Sequence, residues 1–205
     1  ADKTHRRSGT LHPGSGKHRK SGQERKEKKR KVKALQHFKT ITYHKYLVMK
    51  GCFAVGLYRQ GICHDLSKYS PTEFWAGAKY YQGTRSPNER EREEKGYSAA
   101  WMHHKGRNRH HFEYWTDLNM QTKLYEPVKM PVHYVKEMFC DRVAASKIYQ
   151  GKNYSDSHPL EYFLRGNARQ KMHPETADLL ESWLRLLSDR GEREVFRHIR
   201  SVEGY

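Results

Sequence analysis

The adjacent pair His64-Asp65, within Gly61-Ile62-Cys63-His64-Asp65-Leu66-Ser67-Lys68, constrains this chain more than any other stretch. One imidazole beside one carboxylate is a natural start to a site for a hard or borderline metal ion. Lys68 lies three residues beyond Asp65, so on a helix it shares roughly that face and can hold a phosphate nearby. Partners for the pair are in good supply: His44 upstream, His103-His104 and His110-His111 downstream, and Asp141 further on.

The sequence around the pair reads as helices. From Ala34 to about Arg59 the apolar positions recur at helical spacing, and His44, Leu47, Val48, Gly51 and Val55 fall along one face. Gln60-Gly61 is expected to break this helix, with Ile62 starting the next, which would carry His64, Asp65 and Lys68. Ser70-Pro71-Thr72-Glu73 has capping-box spacing with Pro at the first helical position, so a helix is expected from there through Tyr81. Residues 82–95 read as an exposed loop running into a solvated turn of helix. A loop is expected over 117–130, then helices from Val132 to Tyr149, over Pro159–Leu164, from His173 to Arg190, and around Val195–Ile199. No strand run of weight, Gly-rich nucleotide loop or internal repeat interrupts the series.

Two polar residues stand on apolar stripes. His44 points with the core-facing stripe of its helix, and Asp141 sits amid Met138, Phe139, Ala144 and Ala145. A carboxylate there is costly to bury unless it is paired or bound to metal. Between them, Trp101-Met-His103-His104-Lys-Gly106-Arg107-Asn108-Arg109-His110-His111-Phe-Glu-Tyr114-Trp115 packs four histidines into nine residues. A polyanion-binding loop would use the same histidines with Arg107 and Arg109, and with Tyr114 or Trp115 stacking on bases. A metal site explains the histidines better, because each doublet sits at a helix end beside an apolar run.

Charge divides the chain at about residue 33. Residues 1–33 hold 13 Lys/Arg against 3 Asp/Glu, and the other 172 hold 27 against 20, within a total of +17. Residues 1–33 therefore read as a disordered or extended basic tail, with 23–33 suited to a solvated helix, and 34–205 as one helical domain. The tail is a candidate contact for nucleic acid, and phosphate-bearing partners suit the balance. No apolar run approaches the ~20 residues that cross a bilayer. Three cysteines (Cys52, Cys63, Cys140) form no Cys-x-x-Cys pair, which fits a reducing, cytoplasmic setting.

The order His44 … His64-Asp65 … Asp141 on successive helices resembles the HD-domain superfamily of metal-dependent phosphohydrolases, and His-Asp-Leu-Ser-Lys is close to a form common there. The histidine-rich stretch, with Cys-Asp-Arg-Val-Ala-Ala-Ser-Lys, is similar to a small uncharacterised bacterial branch of it. The resemblance covers about residues 34–190. It implies an all-α, HD-like helical bundle in which His44, His64, Asp65 and Asp141 hold one divalent metal. A second ion is implied in dinuclear members, with His104 and His110 as first choices and His103 and His111 as second. The metal is one or two ions of Mn, Mg, Fe, Co, Ni or Zn. No Gly-Tyr-Pro follows the histidines, unlike the branch that cleaves cyclic dinucleotides.

The expected activity is hydrolysis of a phosphate ester or anhydride on a small phosphorylated substrate. Asp65 and Lys68 are the catalytic candidates, and Lys68, Arg107, Arg109 and Lys147 the candidates for the phosphate oxygens. Two alternatives use other chemistry: a di-iron oxygenase of the HD type, and a non-catalytic RNA- or ribosome-associated module driven by the tail.

Overall fold

The computed structural model describes the backbone of residues 16–205 and the side chains from residue 22 onward. Helix α1 (Gly16–Ala54) organises it. His37, Ile41, His44, Val48, Cys52 and Val55 are all buried, and their three- and four-residue spacing marks a single stripe. Residues 22–33 are exposed and continue the same helix. The tail–body boundary expected at 33/34 therefore does not interrupt α1, and residues 1–15 of the expected tail lie outside the described residues. The Glu/Lys/Arg composition favours helix, and extending an already packed helix avoids the cost of nucleation.

The break after α1 comes earlier than expected. The chain turns at Gly56, whose φ is +84°, and α2 (Tyr58–Cys63) contains Gln60, Gly61 and Ile62. Gly61 serves close approach instead: a Cβ there would lie 2.9 Å from Cys52 Cβ and 3.2 Å from the Phe53 ring. Neither neighbour is a flexible tip, so Gly61→Ala should destabilise the fold by about 1–3 kcal/mol. The expected result is a lower urea midpoint with an unchanged slope.

After α2 come a 3-10 turn (Leu66–Tyr69), α3 (Pro71–Tyr80), α4 (Pro87–Lys95) and α5 (Ala99–Lys105). Ser70, Ser86 and Ser98 cap the three helices by accepting backbone N–H bonds from Glu73, Asn88 and Trp101. The loop expected at 117–130 contains an antiparallel hairpin of β1 (Thr116–Leu118) and β2 (Tyr125–Pro127), with Asp117 opposite Glu126. Asn119 turns it, its Oδ1 accepting from the N–H groups of Gln121 and Thr122.

Helix α6 (Val132–Gln150) is central, followed by α7 (His158–Arg165), α8 (Pro174–Arg190) and α9 (Glu192–Ser201). Phe139 and Val143 of α6 pack with Val48 and Cys52 of α1, Phe163 of α7, Leu180, Trp183, Leu184 and Leu187 of α8, and Val195 and Ile199 of α9. The Phe139 ring meets Trp183 and Phe196 edge-on, at centroid distances of 6.2 and 5.8 Å. Helix α1 thus packs on α6 along one side and on α2 and α3 along another, which brings residues distant in sequence to its midpoint. The described structure is mostly helical, and no helix in it is long and apolar enough to cross a membrane.

Candidate metal centre

His64 and Asp65 lie on the joint between α2 and the 3-10 turn, rather than on a helix. Asp65 adopts the left-handed conformation (φ 53°, ψ 27°), which Asp tolerates better than most residues. Lys45, next to His44 on α1, clamps the joint by donating to the carbonyls of Ile62 and His64, the latter at 2.9 Å. In a 3-10 turn residues three apart eclipse one another, so Lys68 falls over Asp65, with Nζ 2.6 Å from Oδ2.

The two Asp65 oxygens face different neighbours. Around Oδ2 stand His64 Nε2 at 3.2 Å and His44 Nε2 at 3.8 Å. Asp141 Oδ1 completes that group, 2.8 Å from His44 Nε2 and 3.6 Å from His64 Nε2. Around Oδ1 stand His104 Nε2 at 3.3 Å and His110 Nε2 at 3.5 Å. His111 joins this second group, its ring centroid 4.1 Å from that of His110 and 4.8 Å from that of His104. Two four-residue sets, His44/His64/Asp65/Asp141 and Asp65/His104/His110/His111, each bring one donor atom per residue within 4.8 Å of the others.

Many of these contacts are close without being aligned as hydrogen bonds. Among the described residues, nine buried side-chain nitrogen and oxygen atoms have no hydrogen-bond partner. Six of them are here: Nε2 of His44, His64, His110 and His111, and both oxygens of Asp65. Buried polar atoms are nearly always satisfied, and these six, divided between the two donor sets that meet at Asp65, fit cations held among them.

Two carboxylates behind the histidines had no place in the sequence-based site. Glu137, one turn before Asp141 on α6, has Oε1 2.9 Å from His64 Nδ1 and 3.2 Å from His110 Nδ1, and its Oε2 accepts from Gln60 at 2.8 Å. Glu73, on α3, lies 2.8 Å from His104 Nδ1 and 2.6 Å from His103 Nδ1. Against the effect of burial, hydrogen bonds from His110 and His64 pull the Glu137 carboxyl down to about 2. An ionised carboxylate only accepts, so Nδ1 of each bonded ring carries the proton and Nε2 is turned inward. Glu137→Gln keeps the volume but removes the charge that both ring N–H groups face, and with its carbonyl in the place of Oε1 it turns an amide donor toward the Gln60 amide. It should weaken metal binding roughly 10- to 100-fold with little change in fold, as read by competition against a chelating dye.

The charges reinforce one another. Burial alone would raise Asp65, but His64, Lys68 and His104 outweigh it and hold the carboxyl well below its usual range. Asp141 is likewise held low against burial by His44 and His64. Burial opposes charge on His64, yet Asp65, Asp141 and Glu137 keep it well above the ordinary imidazole value. His44 and His111 go the other way, lowered by burial and then by Lys68 and by His110 respectively. Lys68 is raised, burial being overcome by Asp65 and Asp141, so it stays charged.

The remaining sequence candidates sit elsewhere. His103 is turned to Glu73 and belongs to neither set. Arg107 donates to the His103 carbonyl at 3.3 Å from an exposed position. Arg109 reaches the Tyr134 hydroxyl and lies over the Tyr114 ring, on the outside of the histidine loop. Lys147 pairs with Glu192 and sits over Tyr154. Of the four phosphate candidates, only Lys68 contacts the cluster. His64 is fully buried, whereas the side chains of Asp141 and Lys68 are 18% and 28% exposed and His111 is half-buried.

Residues 33–186 match a family of unknown function, DUF5662, and the chain belongs to that family. No curated protein and no solved structure matches the chain.

Proposed function

We propose that this member of a family of unknown function is a metal-dependent phosphohydrolase of the HD-domain type, acting on a phosphate ester or anhydride of a small substrate. The observation that carries the reading is the division of Asp65, whose two oxygens face two separate donor sets. The order of the first set along α1, the α2 joint and α6 supports the HD-like reading of the bundle. The mixed imidazole and carboxylate donors suit Mn, Fe, Co, Ni or Zn better than an all-oxygen site would, and the orphaned Nε2 atoms fit such an ion.

A divalent ion in such a site supplies Lewis acidity to a phosphoryl oxygen and lowers the pKa of a water. The chain's own residues do the rest. Glu137 and Glu73 fix the ring orientations. Lys68 remains protonated, so it offsets charge gathering on phosphate oxygens and does not act as a base. Asp65, with both oxygens committed to the donor sets, is a shared ligand before it is a proton acceptor.

Elemental analysis of protein purified without chelator, paired with turnover of p-nitrophenyl phosphate and of nucleotides, tests the reading. Stoichiometric metal with release of phosphate is expected. Metal without turnover of any phosphorylated compound would remove the reaction class, and His64→Ala with undiminished metal would remove the site.

The second set, with three imidazoles and one carboxylate, also suits iron, and this favours dioxygen chemistry as a second reading. Bound iron with visible absorption in aerobically purified protein would replace the first reading by it. The exposed basic arm, residues 22–33, is a proposed contact for nucleic acid, compatible with either chemistry. Its deletion should abolish a steeply salt-dependent affinity for RNA; unchanged affinity would dismiss that role.

A further inference from the structure

A hollow of about 540 Å³, the size of a small-molecule site, is lined by Arg59, Gln60, Cys63, Arg109, His133 and Tyr134. Hydrogen bonds join it to the donor cluster. Gln60 Nε2 donates to Glu137 Oε2 at 2.8 Å, and Glu137 Oε1 stands 2.9 Å from His64 Nδ1 and 3.2 Å from His110 Nδ1. Both rings turn Nε2 the other way, toward Asp65, so the hollow lies behind Glu137 as seen from the cluster. Chain connectivity ties it in as well. Cys63 precedes His64, Arg109 precedes His110, and His133 lies one turn before Glu137 on α6, its carbonyl accepting from Gln60 at 3.3 Å.

The lining carries two arginines and a histidine and no Asp or Glu. Among the described residues the arginines paired with carboxylates are Arg85, Arg90, Arg169, Arg185 and Arg197, so neither guanidinium of the hollow has an acid partner. Arg109 makes only a long bond to the Tyr134 hydroxyl, at 3.5 Å, and lies over the Tyr114 ring. Two guanidinium groups sharing a hollow without an acid between them favour an anion there, and their planar forks match the oxygens of a phosphate. Arg59, Cys63, Arg109 and His133 are all exposed, so such an anion can enter from solvent.

We infer that this hollow is a second phosphate site, an effector position for the phosphate group of a small phosphorylated compound. Arg59 and Arg109 hold the phosphate, and Gln60 and Glu137 link it to the rings of His64 and His110. The inference rests on the metal centre and not on the reaction assigned to it. Arg109 thus keeps the phosphate role expected from the sequence, at a place behind the donor sets rather than among them.

Cys63 supplies the readout, because it is exposed while Cys52 and Cys140 are buried. The test labels chelator-stripped protein with a neutral maleimide while inorganic phosphate is raised at constant ionic strength, so that only the hollow is read and simple screening is held fixed. Saturable protection of Cys63 is expected in wild type, with the midpoint raised at least about 10-fold in Arg59→Gln and in Arg109→Gln. Labelling that phosphate does not slow, or an unmoved midpoint in either variant, would overturn the site. Both substitutions are at exposed positions; should one variant not fold, the other decides. The link to the metal centre is read by repeating the titration on manganese-loaded protein. A midpoint shifted by about 5-fold or more from that of stripped protein is expected in wild type, and no shift in Gln60→Met, which keeps the length of the side chain but has no donor. Equal midpoints in loaded and stripped wild type, or a shift that persists in Gln60→Met, would overturn the link. Either failure leaves the hydrolase reading standing, since turnover and metal content are measured separately.

Discussion

Asp65→Asn should strip metal from both donor sets while leaving the fold in place. Each Asp65 oxygen faces a different set, so the carboxylate is the one residue common to His44/His64/Asp141 and His104/His110/His111. Losing a partner behind a ligand costs about 10- to 100-fold in metal affinity, and losing a shared ligand should cost at least the upper figure. Asn is the right replacement because position 65 is left-handed, at φ 53°, a conformation that Asn adopts readily and Ala does not. The variant leaves Lys68 without its carboxylate, but Lys68 reaches solvent, so the penalty falls short of the ~3–5 kcal/mol seen when a fully buried pair is broken. Elemental analysis after dialysis reads the outcome, with His104→Ala as the control that disturbs the second set alone. An Asp65→Asn protein that keeps its full metal complement would show that the carboxylate is no ligand; one that keeps half would assign it to a single set.

How much of this site could be read from sequence depends on what each residue's signal was. His44 and Asp141 were legible because a polar side chain on an apolar stripe at helical spacing has to be explained, and both do face the cluster. Glu137 carried a similar signal, buried among Val135, Met138 and Phe139 one turn before Asp141, and was overlooked. Glu73 was masked by its own pattern. Its position in a capping box accounts for the residue locally, yet its side chain reaches 30 residues ahead to His103 and His104. Arg107 and Arg109 drew attention by proximity to histidines in the chain, but neighbours along a loop point apart, and both ended outside. The joint at His64-Asp65 and the hairpin β1–β2 are short, irregular or only three residues per strand, too little for any periodicity to register.

Removing metal should lower thermal stability, and the loss should grow with pH. A ligand that binds only the folded chain at 100 times its Kd adds about 2.7 kcal/mol. Each kcal/mol moves Tm by roughly 2–4 °C in a chain of this size, so chelation should lower Tm by roughly 5–10 °C for one ion. The pH trend follows from how the groups shift. Asp65, Asp141 and Glu137 are depressed, so what they contribute is present above the unfolded carboxylate range of about 3.9–4.3 and is lost as pH falls through their folded values. His64 is raised, so its contribution to the metal-free fold is complete below about 6.5 and is lost as pH rises through its folded value. His44 and His111 are lowered, so their neutral rings favour the fold above about 6.5 and oppose His64 there, and the loss of the carboxylates sets the acid limit of the stripped protein. Metal binding needs the Nε2 proton of His64 gone, so the ion competes with that proton and gains as pH rises. Melting curves at acid, neutral and mildly alkaline pH, with and without chelator, should therefore show the gap between loaded and stripped protein widening upward in pH. A gap that stays level or narrows would mean that His64 does not exchange a proton for the ion, and the first donor set would have to be redrawn without it.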